Sequence, residues 1–264
     1  MGSIRERDGL GCEVSLPGPA RRIVSLVPSQ TELLYDLGLD AEVVGITRFC
    51  VHPPHWRRTK TRIGGTKDVR VERVRSLSPD LVIANREENV QEQVEAIRGF
   101  CPVWTSDVND LAGALEMIRS IGRLTGKAAE AGRMAHSIED AFTAFRRVEG
   151  SVRTAYLIWK DPWMAVGGDT FIHDMMQRCG FINVFADRPR YPVTTLSELS
   201  ESGVGLVLLS SEPYPFRERD LEAVRREIPG AEARLVDGEM FSWYGSRLRE
   251  SVHYLFDMSL SGRI

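Results

Sequence analysis

The chain has 264 residues, 42 % of them hydrophobic, and a formal net charge of −3. That length and apolar content suit two ordinary folded cores and exclude a disordered chain. The mild charge, with no Lys/Arg stripe, gives no footing for nucleic acid, and no apolar run nears the ~20 residues of a membrane-spanning helix.

The start, MGSIRERDGLGCEV, has charge but no apolar stretch behind it, so the chain as written reads as cytoplasmic. It would be periplasmic or at the cell surface if a leader precedes it. Residues 13–17 predict a lead-in strand halted by Pro17 and Pro19. Strand Ile23–Val27 follows, then a helix through Leu33, Leu34 and Leu37 with Ser29 as N-cap and Glu32 three residues on. Strand Val43–Thr47 leads into the proline-punctuated loop 50–56. After a turn at Gly64-Gly65-Thr66 come a helix carrying Glu72, strand Leu81–Ala84, a helix over Val90–Arg98 and strand Val103–Thr105.

From Asp110 to Glu149 there is no proline. Leu111, Leu115, Ile118, Ile121, Leu124, Met134, Ile138, Phe142 and Phe145 recur there at helical spacing. Either this is one connecting helix, with a weak point near Thr125-Gly126, or an ordinary pair of core helices. Beyond it the pattern predicts strand Thr154–Trp159, a helix over Thr170–Cys179, a loop over Asp187–Thr195 and strand Leu206–Leu209. A helix over Glu218–Glu227, strand Ala233–Val236, the loop 237–247 and a helix over Leu248–Leu260 complete the chain.

One pattern occurs twice. Residues 71–87, VERVRSLSPDLVIANRE, reappear in degraded form at 196–212, LSELSESGVGLVLLSSE. A second pair links residues 21–46 with 154–185, each running strand, polar loop, helix, then Gly38 or Gly180 where the helix stops. Two copies of one α/β unit make two lobes, and the polar loops at strand ends are where open α/β sheets bind ligands.

Little here reads as catalysis. No nucleophile elbow, Walker loop or dinucleotide fingerprint occurs. Cys50, His52 and His55 offer three metal ligands on one loop, which a carboxylate such as Glu212 or Glu239 could complete. Against that stand the frequency of solvated loop histidines and the lack of a zinc helix motif. Cys12, Cys50, Cys101 and Cys179 are widely spaced, and Cys101 and Cys179 read as core residues. The Gly167–Phe171 run, GGDTF, reads either as a helix-starting turn or as an anion cradle.

In order and spacing, several segments resemble the helical-backbone periplasmic binding proteins, the cobalamin-, haem- and siderophore-binding components of ABC importers. The segments are RIVSLVPSQTELLYDLGL, VVGIT, IGGTKDVRVERVRSLSPDLVIAN, GGDTF, GFINVF and DGEMFSWYGSRL. The resemblance runs from about Val14 to Leu260 and lies nearest the cobalamin-binding branch. It implies an α/β fold of two Rossmann-like lobes, each with a short, mostly parallel sheet, bridged by a long helix with the ligand cleft between them. The divisions would be 14–108, 109–149 and 150–264.

The resemblance implies a monomeric, non-enzymatic protein that needs no cofactor. It would capture a corrinoid, haem or ferric siderophore for an ABC permease. Pro28, Ser29, Arg48, Phe49, His52, Lys67, Asn85 and Arg86 would line one wall. Trp163, Tyr191, Glu212, Phe241, Trp243, Tyr244 and Arg247 would line the other. Asn85, Thr66 and Lys67 stand where cobalamin-binding members carry an aromatic, which implies a more polar ligand edge. Glu72, and less securely Glu198, match the acidic positions that dock on the permease. The alternative is a cytoplasmic metal or cofactor carrier, or a metal-dependent enzyme, on the same fold and centred on Cys50, His52 and His55.

Overall fold

The computed structural model describes residues 2–144 and 152–261. Phe145, Glu149 and the expected 149/150 boundary lie outside the described residues. The chain divides into two compact units. The first comprises Met1–Val108, Ala112–Asp140 and Tyr244–Arg247; the second comprises Asn109–Leu111, Ala141–Trp243 and Leu248–Ile264.

The first unit opens with a hairpin the sequence reading missed. Strand β1 (Ile4–Arg7) pairs antiparallel with β2 (Glu13–Leu16), the expected lead-in strand. Then follow β3 (Ile23–Ser25), α1 (Pro28–Asp36), β4 (Val43–Ile46), α2 (Trp56–Thr59), β5 (Thr61–Arg62), α3 (Val71–Ser76), β6 (Leu81–Asn85), α4 (Gln91–Arg98) and β7 (Val103–Ser106). The sheet order is β5-β4-β3-β6-β7, and every pairing in it is parallel. All five residues of β6 are buried, which is why LVIAN reads as a continuous apolar run rather than an alternating one.

Helix α1 starts differently from expectation. Pro28 occupies the first helical turn and the cap is Val27, extended at φ −125° and ψ 123°, with no side-chain cap bond. Proline suits that position because its missing N–H is not needed there. Ser29 therefore sits inside the helix, where its Oγ is buried and has no hydrogen-bond partner among the described residues.

The proline-free stretch is two helices, α5 (Leu111–Leu124) and α6 (Ala128–Ala144). The break falls at the predicted weak point, with Gly126 at φ +73°. The helices fold back on each other. Arg119 and Glu139 form an ion pair at 3.3 Å, whereas twenty residues of one straight helix would hold them ~30 Å apart. A Cβ on Gly122 would lie 2.3 Å from that of Ala131, so glycine permits this close approach. The single bridging helix of the sequence reading is thus a helical hairpin, although the passage from first unit to second does fall within α6.

The second unit holds β8 (Arg153–Trp159), β9 (Trp163–Ala165), α7 (Phe171–Arg178), β10 (Ile182–Asn183), β11 (Val193–Thr194), α8 (Leu196–Glu201), β12 (Leu206–Ser210), α9 (Glu218–Glu227), β13 (Glu232–Val236), α10 (Gly238–Ser242) and α11 (Leu248–Ser261). Its order is β11-β9-β8-β12-β13, with β10 also beside β8. Strands β8, β12 and β13 run parallel, while β9 and β11 pair antiparallel. The loop expected over Asp187–Thr195 thus contains β11.

The internal repeat is real in three dimensions. In each copy a six-residue helix, α3 or α8, precedes a five-residue, fully buried strand, β6 or β12, at the same separation. Gly38 at φ +73° and Gly180 at φ +82° end α1 and α7 in the left-handed conformation glycine adopts most readily.

Within the first unit, Arg247 grips Glu32 of α1 with two hydrogen bonds, Nε to Oε2 at 2.9 Å and Nη2 to Oε1 at 2.5 Å. The side chains are only 9 % and 16 % exposed. Burial nevertheless pushes the Glu32 carboxyl above its usual range, against the opposing pull of Arg247. Removing one partner strands the other. Arg247→Met is expected to cost about 3 kcal/mol in urea unfolding. Adding Glu32→Gln to it should restore part of that loss, and additive losses would refute the coupling.

Candidate functional site

The parallel pairing places the polar loops of the first unit after the carboxyl ends of its strands. Asn85 ends β6 and is 2 % exposed. Its Nδ2 donates to the Ser106 carbonyl at 3.1 Å and to Ser106 Oγ at 3.0 Å. Its Oδ1 accepts from the backbone N–H groups of Glu87 at 2.8 Å and Glu88 at 3.0 Å. The Asn89 side chain accepts from the Asn85 N–H at 2.8 Å and donates to the Thr66 carbonyl at 3.0 Å. With its polar atoms so committed, Asn85 shapes the 85–89 loop.

The other first-wall candidates spread along these same loops. Arg86 is exposed and pairs with Asp107 at 2.7 Å, which raises its pKa. Lys67 Nζ donates to the Glu87 carbonyl. Phe49 is 49 % exposed beneath the Arg48 guanidinium, which lies 5.0 Å from the ring centre. Pro28 and Ser29 are buried at the start of α1, and His52 is half-buried in the loop after Cys50.

Two candidates expected on the second wall, Tyr244 and Arg247, group with the first unit. Tyr244 is 6 % exposed with its hydroxyl 3.4 Å from Glu88 Oε1. A Cβ on Gly245 would lie 3.1 Å from the Ser29 carbonyl oxygen. The segment is therefore pressed against the start of α1, and the Arg247 fork is taken up by Glu32.

In the second unit the buried aromatics form a support. Phe241 is fully buried and packs 5.1 Å from Tyr156 and 6.1 Å from Tyr254, so it offers no surface to a ligand. Trp243 is 7 % exposed and donates through Nε1 to Glu212 Oε1 at 2.9 Å, while Ser242 Oγ donates to the same oxygen at 2.8 Å. A Cβ on Gly238 would meet Glu212 Cγ at 2.6 Å, so glycine lets α10 start against this carboxylate. Burial raises the Glu212 pKa, and Glu239 and Asp237 push the same way.

The exposed aromatic surface lies elsewhere, after β8 and β12. Trp159, the last residue of β8, is 40 % exposed with Tyr214 edge-on at 5.7 Å. Trp163 stacks on Phe216 at 5.8 Å and an interplanar angle of 6°, with Lys160 Nζ 5.4 Å from its ring centre. Tyr214 in turn meets Phe216 edge-on at 4.8 Å. Tyr214, half-buried beside Trp159, was missed as a site residue, while Phe216 behind it is buried in the core. The SEPYPF run was the available signal, two aromatics fixed by prolines just past a buried strand. Tyr191 sits in a different loop, with the Arg190 guanidinium 5.8 Å from its ring.

The metal-loop reading loses its geometry. Cys50 is fully buried, 3.0 Å from Thr31 Oγ1 and 3.2 Å from Thr47 Oγ1, and burial pushes its thiol up to about 11. His55 instead packs edge-on to Tyr35 at 5.5 Å. Among the described residues no three His, Cys, Asp or Glu side chains are grouped to hold a metal ion. Nor does the GGDTF run cradle an anion. The N–H groups of Gly167 and Gly168 donate to the Arg190 and Arg188 carbonyls at 2.7 and 2.8 Å, so the turn spends them on backbone.

Comparison with known proteins fits this arrangement. The family model described as periplasmic binding protein matches residues 23–203, well over half of the chain. The chain belongs to the periplasmic binding protein family. A vitamin B12-binding protein of Vibrio campbellii is 25 % identical over 187 residues, spanning 69 % of this chain and 68 % of that protein. The periplasmic vitamin B12-binding protein BtuF of Vibrio cholerae superposes with a TM-score of 0.78 at 19 % identity, covering 92 % of this chain and 99 % of that one. The periplasmic haem-binding protein RhuT of Roseiflexus superposes with a TM-score of 0.76 at 22 % identity, covering 92 % and 97 %. These solved structures share the fold of this chain. No helix among the described residues of this member is long and apolar enough to cross a membrane.

Two outcomes follow from the site chemistry. Because the Glu212 pKa is raised on folding, the native state holds this proton more tightly than the unfolded chain. Its contribution is present below the unfolded carboxyl value of ~4.3 and is lost as pH rises through the raised one. Glu212→Gln keeps the acceptor for Trp243. Its stability relative to wild type should rise between acid and neutral pH in denaturant titrations, and a pH-independent difference would refute this. Separately, Cys12 is exposed, whereas Cys50, Cys101 and Cys179 are buried with thiols raised to about 11, 12 and 12. A thiol reagent should modify Cys12 alone in the native protein and all four after denaturation.

Proposed function

We propose that this protein is a substrate-binding protein that captures a corrinoid or another metal chelate, such as haem or a ferric siderophore, for ABC-type uptake. The observation that carries the reading is the aromatic ledge beyond β8 and β12. Trp159 stands 40 % exposed at its edge, braced by Tyr214, with Trp163 stacked on Phe216 behind. Large aromatic faces held rigidly at strand ends are costly in water and favourable against a flat, apolar macrocycle. The vitamin B12- and haem-binding relatives agree in kind. In such a role the chelate is cargo rather than cofactor, and the protein binds without catalysing.

The periplasm or cell surface is the compartment in which the role makes sense, and the vitamin B12- and haem-binding structures it resembles are periplasmic proteins. Burial of Cys50 removes the basis for the cytoplasmic metal carrier or metal enzyme. On the first unit Glu72 suits permease docking, because its carboxylate is 83 % exposed and, among the described residues, pairs only with Arg75 at 3.4 Å. Glu198 suits it less. Arg188 and Thr194 hold its carboxylate, and the Arg188 contact keeps its pKa below the usual range.

The test is a titration of tryptophan fluorescence with cobalamin, cobinamide, haem and a ferric siderophore, with absorbance controls. One of them should saturate at one-to-one stoichiometry with an affinity between nanomolar and micromolar. Trp159→Ala should weaken that binding at least ~10-fold while leaving the urea midpoint nearly unchanged, since its ring is half in solvent. Trp243→Ala should instead lower stability, by about 3 kcal/mol or more, by opening a cavity. Saturation by none of the four would remove the chelate reading.

A further inference from the structure

Most arginines close to the core of this protein have carboxylate partners. Arg98 pairs with Asp8 at 3.1 Å, Arg123 with Glu6 at 2.5 Å and Arg247 with Glu32 at 2.5 Å. A pocket open to solvent on the first unit gathers exposed arginines instead. A cavity of about 250 Å³ is lined by Arg48, Arg62, Gly64, Arg70 and Arg73. Among the described residues, the guanidinium groups of Arg62, Arg70 and Arg73 make neither an ion pair nor a side-chain hydrogen bond. Arg48 reaches Asp68 only at 3.8 Å, with both side chains more than half exposed. Such a pair is worth little in water.

The four side chains grow from fixed backbone. Arg62 ends β5, and Arg48 follows β4, where its N–H donates to the Gly64 carbonyl at 2.8 Å. Arg70 caps α3, with its N–H bonded to the Ile63 carbonyl at 2.8 Å, and Arg73 lies in the first turn of that helix. The intervening loop is closed by the Gly65 N–H on the Asp68 carbonyl at 2.9 Å. Gly64 sits at φ +109°, where a Cβ would strike the Asp68 oxygen at 2.1 Å, so the tight turn requires glycine. The Arg48 guanidinium rests against Gly65 and over Phe49. Four guanidinium groups are thus gathered on a pre-set frame, in a chain whose net charge is −3.

We propose that this pocket binds a compact oxyanion bearing at least two negative charges, a polycarboxylate or a pyrophosphate-like group. Planar guanidinium forks match carboxylate and phosphate oxygens two at a time. The volume lies below the ~300 Å³ at which pockets for drug-sized ligands begin. It therefore suits a small ion rather than a tetrapyrrole, and its lining comes from the first unit, whereas the second unit builds the aromatic ledge. It depends on the first unit alone and not on the identity of any chelate.

The probes are citrate and pyrophosphate, with acetate as the singly charged control, titrated calorimetrically into the full-length protein at low and at physiological ionic strength. At least one polyanion should bind at one-to-one stoichiometry, more weakly at higher salt, while acetate gives no saturation. Arg62→Gln and Arg73→Gln should each weaken binding at least ~10-fold. Arg57→Gln, on α2 and outside the pocket, should not. The bound polyanion should also raise the wild-type melting temperature above that in sodium chloride of equal ionic strength. No saturation by either polyanion, or equal affinity in the Arg62→Gln/Arg73→Gln double variant and Arg57→Gln, would overturn the proposal. An unbroken chelate titration beside a failed citrate and pyrophosphate titration would sink this site alone.

Discussion

A parallel sheet covered on both faces meets solvent only at its strand ends, and the rest of this protein follows from that limit. Strands β6 and β12 are buried along their whole length. Their side chains serve the core alone, each large one worth roughly 1.5–3 kcal/mol of burial. Chemistry is confined to the residues immediately beyond them. In the first unit these are the 85–89 loop, Arg48-Phe49 and the Gly64–Lys67 turn. In the second they are Trp159, the 211–216 loop and α10.

Polar groups at such ends are half inside the core, so each must be satisfied locally. Asn85 does this with its carboxamide, bonding Ser106 on one side and two loop N–H groups on the other. Glu212 does it by accepting from Ser242 and Trp243 on one carboxylate oxygen, with burial raising its pKa. The same economy explains Arg247. A conspicuous arginine beside an SWY run has its fork turned onto Glu32, and so positions residues 244–247 against α1.

Fold class and most elements were legible in the sequence because buried parallel strands leave continuous apolar runs and the helices between them keep their period. The helix over Glu218–Glu227 appears as read. What the sequence hid was long-range or short. Strands β9, β10 and β11 have two or three residues each and gain order only from their neighbours. Strand β1 is a charged segment, IRER, that depends on its hairpin partner and on Arg123 of α5 gripping Glu6. The turn-back of α5 on α6 rests on Gly122 admitting Ala131, a contact that no local pattern announces. Site residues failed for a related reason. Aromatic content is visible in a sequence, but the side of a loop on which a ring lands is not. Trp243 and Phe241 point inward while Trp159 stays at the surface.

The repeat sharpens this. Helix α3 with strand β6, and helix α8 with strand β12, hold the same lengths and separation. The residues at the strand ends differ. The first copy ends in Asn-Arg-Glu, with a buried amide that braces the loop and leaves Arg86 exposed beside Asp107. The second ends in Ser-Ser-Glu, where Ser210 accepts the Glu212 N–H at 3.2 Å and the glutamate turns inward to hold Trp243. Apolar burial tolerates drift between Leu, Val and Ile inside the strand. A single polar substitution at its end changes which group is buried and which is displayed. Two copies of one α/β pattern thus serve as two scaffolds, and the few residues past each strand make one polar and basic and the other aromatic.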